Sequence, residues 1–97
     1  MLPELDPLLH SQLRLQIMSL LAGISSAEFN FLLEETGATR GNVSVQIKKL
    51  SEAGYIKVSK SFGESYPLTT CNITDKGLKA FDTYVENISK YLDRKKE

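Results

Sequence analysis

One cysteine, one histidine, no tryptophan and three prolines in 97 residues leave out much of the chemistry around which proteins are built. A lone Cys71 allows no intrachain disulfide, so the chain is expected in a reducing compartment, the cytoplasm. A single histidine beside a single cysteine is too little for a typical structural zinc site, and neither a metal nor a cofactor is expected. No apolar run approaches the roughly 20 residues that a membrane span needs. The opening residues, Met1 to Asp6, carry acid and no base, which is not the pattern of a secretory leader. No nucleophile–base pair and no phosphate-cradling glycine loop is legible, so an enzyme is not expected. Net charge is missing too, with twelve basic residues against twelve acidic ones. Over the whole chain, that balance argues against a partner with many negative charges.

What is present is ordinary globular composition, 41% hydrophobic and 25% charged, in a length that suits one compact domain. The charge is unevenly placed. Residues 1–39 carry a net −4, residues 40–60 a net +4, and residues 61–97 balance. The central block (Arg40, Lys48, Lys49, Lys57 and Lys60 against Glu52 alone) is either a candidate anion-binding face or a solvated surface that happens to be basic.

Pro3 and Pro7 stiffen an N-terminal arm, residues 1–10, whose leucines Leu2, Leu5, Leu8 and Leu9 are too many for a free tail. Ser11 can cap a helix running to about Ala22, with Gly23 as its stop and Leu13, Ile17, Leu20 and Leu21 at helical spacing. Ser25 with Glu28 reads as a capping box for a second helix over about 26–36, ended by Gly37. Thr39 can cap a third, from about Arg40 to Ala53, with Val43, Ile47 and Leu50 as its core stripe. The period then changes. Tyr55 to Lys60 and Leu68 to Ile73 read as the strands of a hairpin, with Phe62 and Tyr66 packing its base. Thr74 can cap a last helix over about 75–92, striped by Leu78, Phe81, Val85, Ile88 and Leu92. The expected architecture is α+β, mostly helical: a three-helix core over 11–54, a β-hairpin over 55–73 and a long helix within 74–97. Only Gly37, Ala38 and Thr39 separate the second and third helices, the spacing of a helix-turn-helix.

These residues carry a family resemblance. Thr39-Arg40-Gly41-Asn42-Val43-Ser44, Ile47-Lys48-Lys49-Leu50 and Glu52-Ala53-Gly54-Tyr55-Ile56 resemble the recognition helix and first wing strand of winged helix-turn-helix transcriptional regulators. Leu5 to Ser11 with Arg14 to Met18, and Thr69 to Thr74 with Gly77, are similar to the first helix, return strand and last helix of the small single-domain MarR/ArsR-like subgroup. The resemblance covers roughly residues 5–92. It implies a homodimer that binds double-stranded DNA and regulates transcription, usually as a repressor, with the third helix in the major groove and the hairpin as a wing. The alternative is a winged helix used for protein–protein interaction without DNA.

On the DNA reading, Thr39, Arg40, Asn42, Ser44, Val45, Lys48, Lys49, Lys57 and Lys60 form the binding face. Arg40 suits guanine, Asn42 adenine and Val45 a thymine methyl, while Lys48 and Lys49 suit phosphates. Glu64, at the wing tip where many relatives have a base, repels phosphate. The dimer interface is expected at Leu2, Leu5 and Leu8 of the arm with Phe81, Tyr84, Val85, Ile88, Tyr91 and Leu92 of the last helix, unless arm and helix simply cover each other within one subunit. A small-molecule effector is possible but not indicated; it would sit at the dimer interface or between wing and core. Cys71 is expected as a small core residue rather than an exposed redox sensor. His10 is read as part of the lead-in to the first helix.

Overall fold

The structure, a computed structural model, describes residues 1–62 and 67–93. The elements run α1 (Gln12–Ile24), β1 (Ser26–Glu28), α2 (Phe29–Thr36), α3 (Arg40–Glu52), β2 (Ile56–Phe62), β3 (Pro67–Ile73) and α4 (Asp75–Leu92). The class is α+β and mostly helical, as expected. Glu64 and Tyr66 lie outside the described residues.

Two helices begin where a threonine makes them begin. The Thr39 side chain accepts from Asn42 N at 3.2 Å, and that of Thr74 from Gly77 N at 3.0 Å; each satisfies an amide that the helix leaves without a partner. Between α2 and α3 the chain turns on Gly37, whose φ of 68° is open to glycine at no steric cost. Its N–H closes the helix on Leu33 O, and Ala38 N donates to Thr36 Oγ1.

The start of α2 corrects the sequence reading. Ser25 and Glu28 form no capping box. Ser26–Glu28 is a third strand, antiparallel to β3 with Ser26 opposite Asn72 and Glu28 opposite Thr70. The sheet order is β1-β3-β2, so the return strand of the wing is central. Gly23 does not stop α1 either. The helix runs on to Ile24, and the left-handed φ of 73° falls on Ser25, whose carbonyl accepts from Ile73 N. Pairing with β3 thus holds a serine where glycine is preferred.

The core lies between α1, α3 and the sheet. Ile17, Met18 and Leu21 of α1 meet Leu32 of α2 and Val43, Ile47 and Leu50 of α3, closed by Ile56 and Cys71 from the sheet. Full burial of each such aliphatic side chain contributes about 1.5–3 kcal/mol. Leu9 of the arm is also fully buried, and Leu5 and Leu8 pack against the same cluster. Phe62 does not pack the hairpin base: it is 90% exposed at the end of β2.

The arm is bound down by polar contacts as well. Asp6 accepts from Leu8 N through one carboxylate oxygen and from the Tyr55 hydroxyl, at 2.5 Å, through the other. Tyr91 donates its hydroxyl to Pro3 O. His10 Nδ1 lies 2.8 Å from the Tyr84 hydroxyl, which ties the arm to α4. Tyr84 is therefore interior, only 5% exposed, and its expected place in a dimer interface is corrected: it belongs to the subunit's own core. The start of α4 sits against the backbone of Tyr55. Thr74 N donates to Tyr55 O, and the Thr74 hydroxyl donates to Gly54 O at 2.6 Å. At Gly77 the two backbones come so close that there is no room for a side chain.

Candidate nucleic-acid interface

The turn and caps at either end of α3 set its rotation. With Val43, Ile47 and Leu50 buried, Arg40, Asn42, Ser44, Val45, Lys48 and Lys49 all come to the exposed side, with Thr39 exposed just before them. Val45 is 51% exposed, an aliphatic side chain in an otherwise polar setting. Lys57 and Lys60 are exposed on β2.

These residues fall into two groups. Arg40, Ser44 and Lys60 converge on a crevice of about 280 Å³ between α3 and the wing, floored by Phe29, Ile47 and Val58 and joined by Thr69. Two cations and two hydroxyls around an apolar floor offer what an oxyanion such as a backbone phosphate requires. Arg40 is already placed there. Its guanidinium lies 5.2 Å from the centroid of the Phe29 ring and donates to Asn30 Oδ1 at 3.2 Å. Both contacts come from α2, so this arginine is held toward the wing side.

Asn42 belongs to the other flank. Its side-chain oxygen accepts from Gln46 Nε2 at 2.9 Å, and Gln46 in turn accepts from Arg14 of α1. Neither Gln46 nor Arg14 was among the site residues read from the sequence. The Asn42–Gln46 spacing of four was a usable signal, since such pairs share a helix face. The contact to Arg14, from another helix, had none.

Cys71 is fully buried, and burial pushes its thiol pKa up to about 11, the opposite of what a reactive thiolate needs. Among the described residues no three His, Cys, Asp or Glu side chains cluster as metal ligands, and no helix is long and apolar enough to cross a membrane.

A helix-turn-helix whose second helix is exposed beside a hairpin, with a long helix closing the core, is the architecture of a winged-helix DNA-binding domain. Residues 13–92 match the family of that description, and the chain belongs to it. An uncharacterized protein of Methanocaldococcus jannaschii is 38% identical over 79 residues, spanning 81% of this chain and 86% of that protein. The structure of a transcriptional regulator homologue from Pyrococcus horikoshii superposes with a TM-score of 0.84 at 27% identity, over 89% of this chain and 85% of that one. NadR, solved in complex with 4-hydroxyphenylacetate, shares the fold at a TM-score of 0.72 and 20% identity, over 90% of this chain and 64% of its own. Family and fold are those of DNA-binding regulators, not of enzymes.

Proposed function

We propose that this protein binds double-stranded DNA sequence-specifically as a cytoplasmic homodimer and represses transcription. One observation carries the reading. The exposed face of α3 presents polar side chains, two lysines and an uncovered valine beside a crevice that joins Arg40 and Ser44 to Lys60 of the wing. On this reading, Asn42 and Val45 face base edges, and Ser44 lines the crevice that takes a phosphate. Lys48, Lys49, Lys57 and Lys60 lie against phosphates, and Arg40, held toward the wing, joins them rather than reading guanine. Thr39 caps the helix and offers its outer edge to the backbone.

For the dimer, the exposed apolar groups on the arm and α4 are Met1, Leu2, Leu78, Val85, Tyr91 and Leu92, with Phe81 and Ile88 half-buried. Leu5 and Leu8 support the arm from beneath. A symmetric pair places two copies of α3 at half-sites about one helical turn apart.

The test is a mobility shift with genomic fragments across a range of salt, alongside light scattering at micromolar concentration. Log affinity should fall linearly with log salt, by about 0.9 per phosphate neutralised. Lys48→Ala and Lys49→Ala should each flatten the slope by about one such step, and Lys90→Ala, far along α4, should not. A monomer by light scattering refutes the dimer. No binding at low salt refutes the DNA reading and leaves the protein-interaction module, which the zero net charge suits.

A further inference from the structure

Arg14, half-buried on α1, uses two of its donors in fixed directions. Its Nε donates to Leu8 O of the arm at 2.6 Å, and its Nη1 donates to Gln46 Oε1 on α3. Gln46 Nε2 then donates to Asn42 Oδ1, one turn back along the same helix. A guanidinium has donors and no acceptor. The oxygen of Gln46 must therefore face Arg14, which turns its amide nitrogen toward Asn42. Asn42 must answer with its oxygen, and its own amide nitrogen is left pointing away from the relay. The orientation of each amide is dictated by the one before it, starting from a charge on another helix.

We propose that Arg14 and Gln46 are positioning residues that preset Asn42 as a hydrogen-bond donor, so that α3 selects a base with a major-groove keto oxygen over one with an amino group. The inference rests on the DNA reading above and deepens it. An unconstrained asparagine reads adenine with both ends, accepting from N6 and donating to N7. Here the accepting end is turned into the relay, so the two-ended contact to adenine is lost: the amino groups of adenine and cytosine meet another donor, and adenine keeps only its N7, which guanine shares. The O6 of guanine and the O4 of thymine meet their complement.

The test is selection from a random duplex library followed by sequencing, with the full chain and its variants. The wild type should prefer guanine or thymine at one position by about three- to tenfold, the worth of one net hydrogen bond. Asn42→Ala should erase that preference and so identify the position. Arg14→Ala and Gln46→Ala should erase it there and leave the other positions and the salt slope unchanged. Arg14→Lys, still a donor without an acceptor, should keep it. Gln46→Glu is the strongest case. A carboxylate accepts from both sides, so Asn42 must donate inward and turn its oxygen out, and the preference should invert toward adenine or cytosine. A purely structural role for either residue would weaken every position alike and invert none. Unchanged preference at that position in both Gln46→Glu and Arg14→Ala overturns the inference.

The relay is also measurable without DNA. In ¹⁵N spectra of the free protein, the side-chain amide signals of Gln46 and Asn42 should move on Arg14→Ala, and signals that stay in place overturn the inference as well. Moved signals from a protein that retains no duplex refute the DNA reading instead, and the groove-facing role of Asn42 with it.

Discussion

Replacing Gly77 by alanine should destabilise the protein although it improves the helix. Alanine is about 1 kcal/mol better than glycine inside a helix. A Cβ built on Gly77, however, collides with Tyr55 O and falls 2.9 Å from its carbonyl carbon and 3.0 Å from its Cα. Those are backbone atoms, which cannot rotate aside. Ordinary contact begins at 3.4 Å, so α4 would have to retreat by about 1 Å. The retreat strains the clamp at its start: Thr74 N to Tyr55 O at 3.0 Å and the Thr74 hydroxyl to Gly54 O at 2.6 Å. Overpacking costs about 1–3 kcal/mol and each weakened hydrogen bond about 1 kcal/mol. Against the propensity gain, the net loss is about 2–4 kcal/mol, a fall of roughly 10–30 °C in Tm for a domain of this size. The matched control is Gly23→Ala. Gly23 is also helical but has nothing within 4 Å of its Cβ position, so that change should stabilise by about 0.5–1 kcal/mol. Thermal unfolding by circular dichroism measures both. A Gly77→Ala protein as stable as the wild type, or a Gly23→Ala protein equally damaged, would refute the close-approach argument.

Two further changes separate the interior from the surface. Tyr84→Glu should cost more than about 3 kcal/mol, because it buries a carboxylate and removes the partner of His10, whereas Val85→Glu, 46% exposed, should leave the subunit's urea midpoint nearly unchanged and weaken the dimer. Equal midpoints for the two variants would contradict this placement of Tyr84. Stability should also fall in alkali: Tyr55, through its hydrogen bond to Asp6 and burial, holds its proton to about 12, and Cys71, through burial, to about 11. An unfolded chain releases these protons near 10 and 9, so the contribution is whole below pH 9 and is lost as pH rises toward 12. Tyr55→Phe should flatten the fall above pH 10, and a urea midpoint that does not change between pH 9 and 11 would refute the assignment. A thiol reagent at pH 8 should reach Cys71 slowly in the native protein and quickly in urea; rapid native labelling would place the sulfur at the surface.

The parts of the fold that were legible in the sequence are those in which neighbours in the chain decide the structure. Thr39 and Thr74 mark the starts of α3 and α4 to the residue because a cap is a contact across three residues. Gly37 ends α2 for the same reason. The strand at Ser26–Glu28 imitates a capping box, and what overrides it is β3, more than forty residues further on. Tyr84 sits at the edge of the α4 stripe, and nothing local shows that His10 lies over it. At the interface, the rotation of α3 and the exposure of Val45 followed from the spacing of three buried residues. The commitment of Arg40 to Phe29 and of Gln46 to Arg14 did not, because both depend on how separate helices dock.

The order β1-β3-β2 leaves the outer side of β2 as a sheet edge, since among the described residues β2 pairs only with β3. An unpaired edge is a template on which another chain can add a strand, and lysines are a common guard against it. Lys57 and Lys60 stand on that edge, so the charges proposed to face phosphate would also keep free copies of the protein from joining edge to edge. Neutralising both should therefore do harm in two separable ways, by loosening DNA and by making the unbound protein prone to aggregate, with bound DNA masking the second effect.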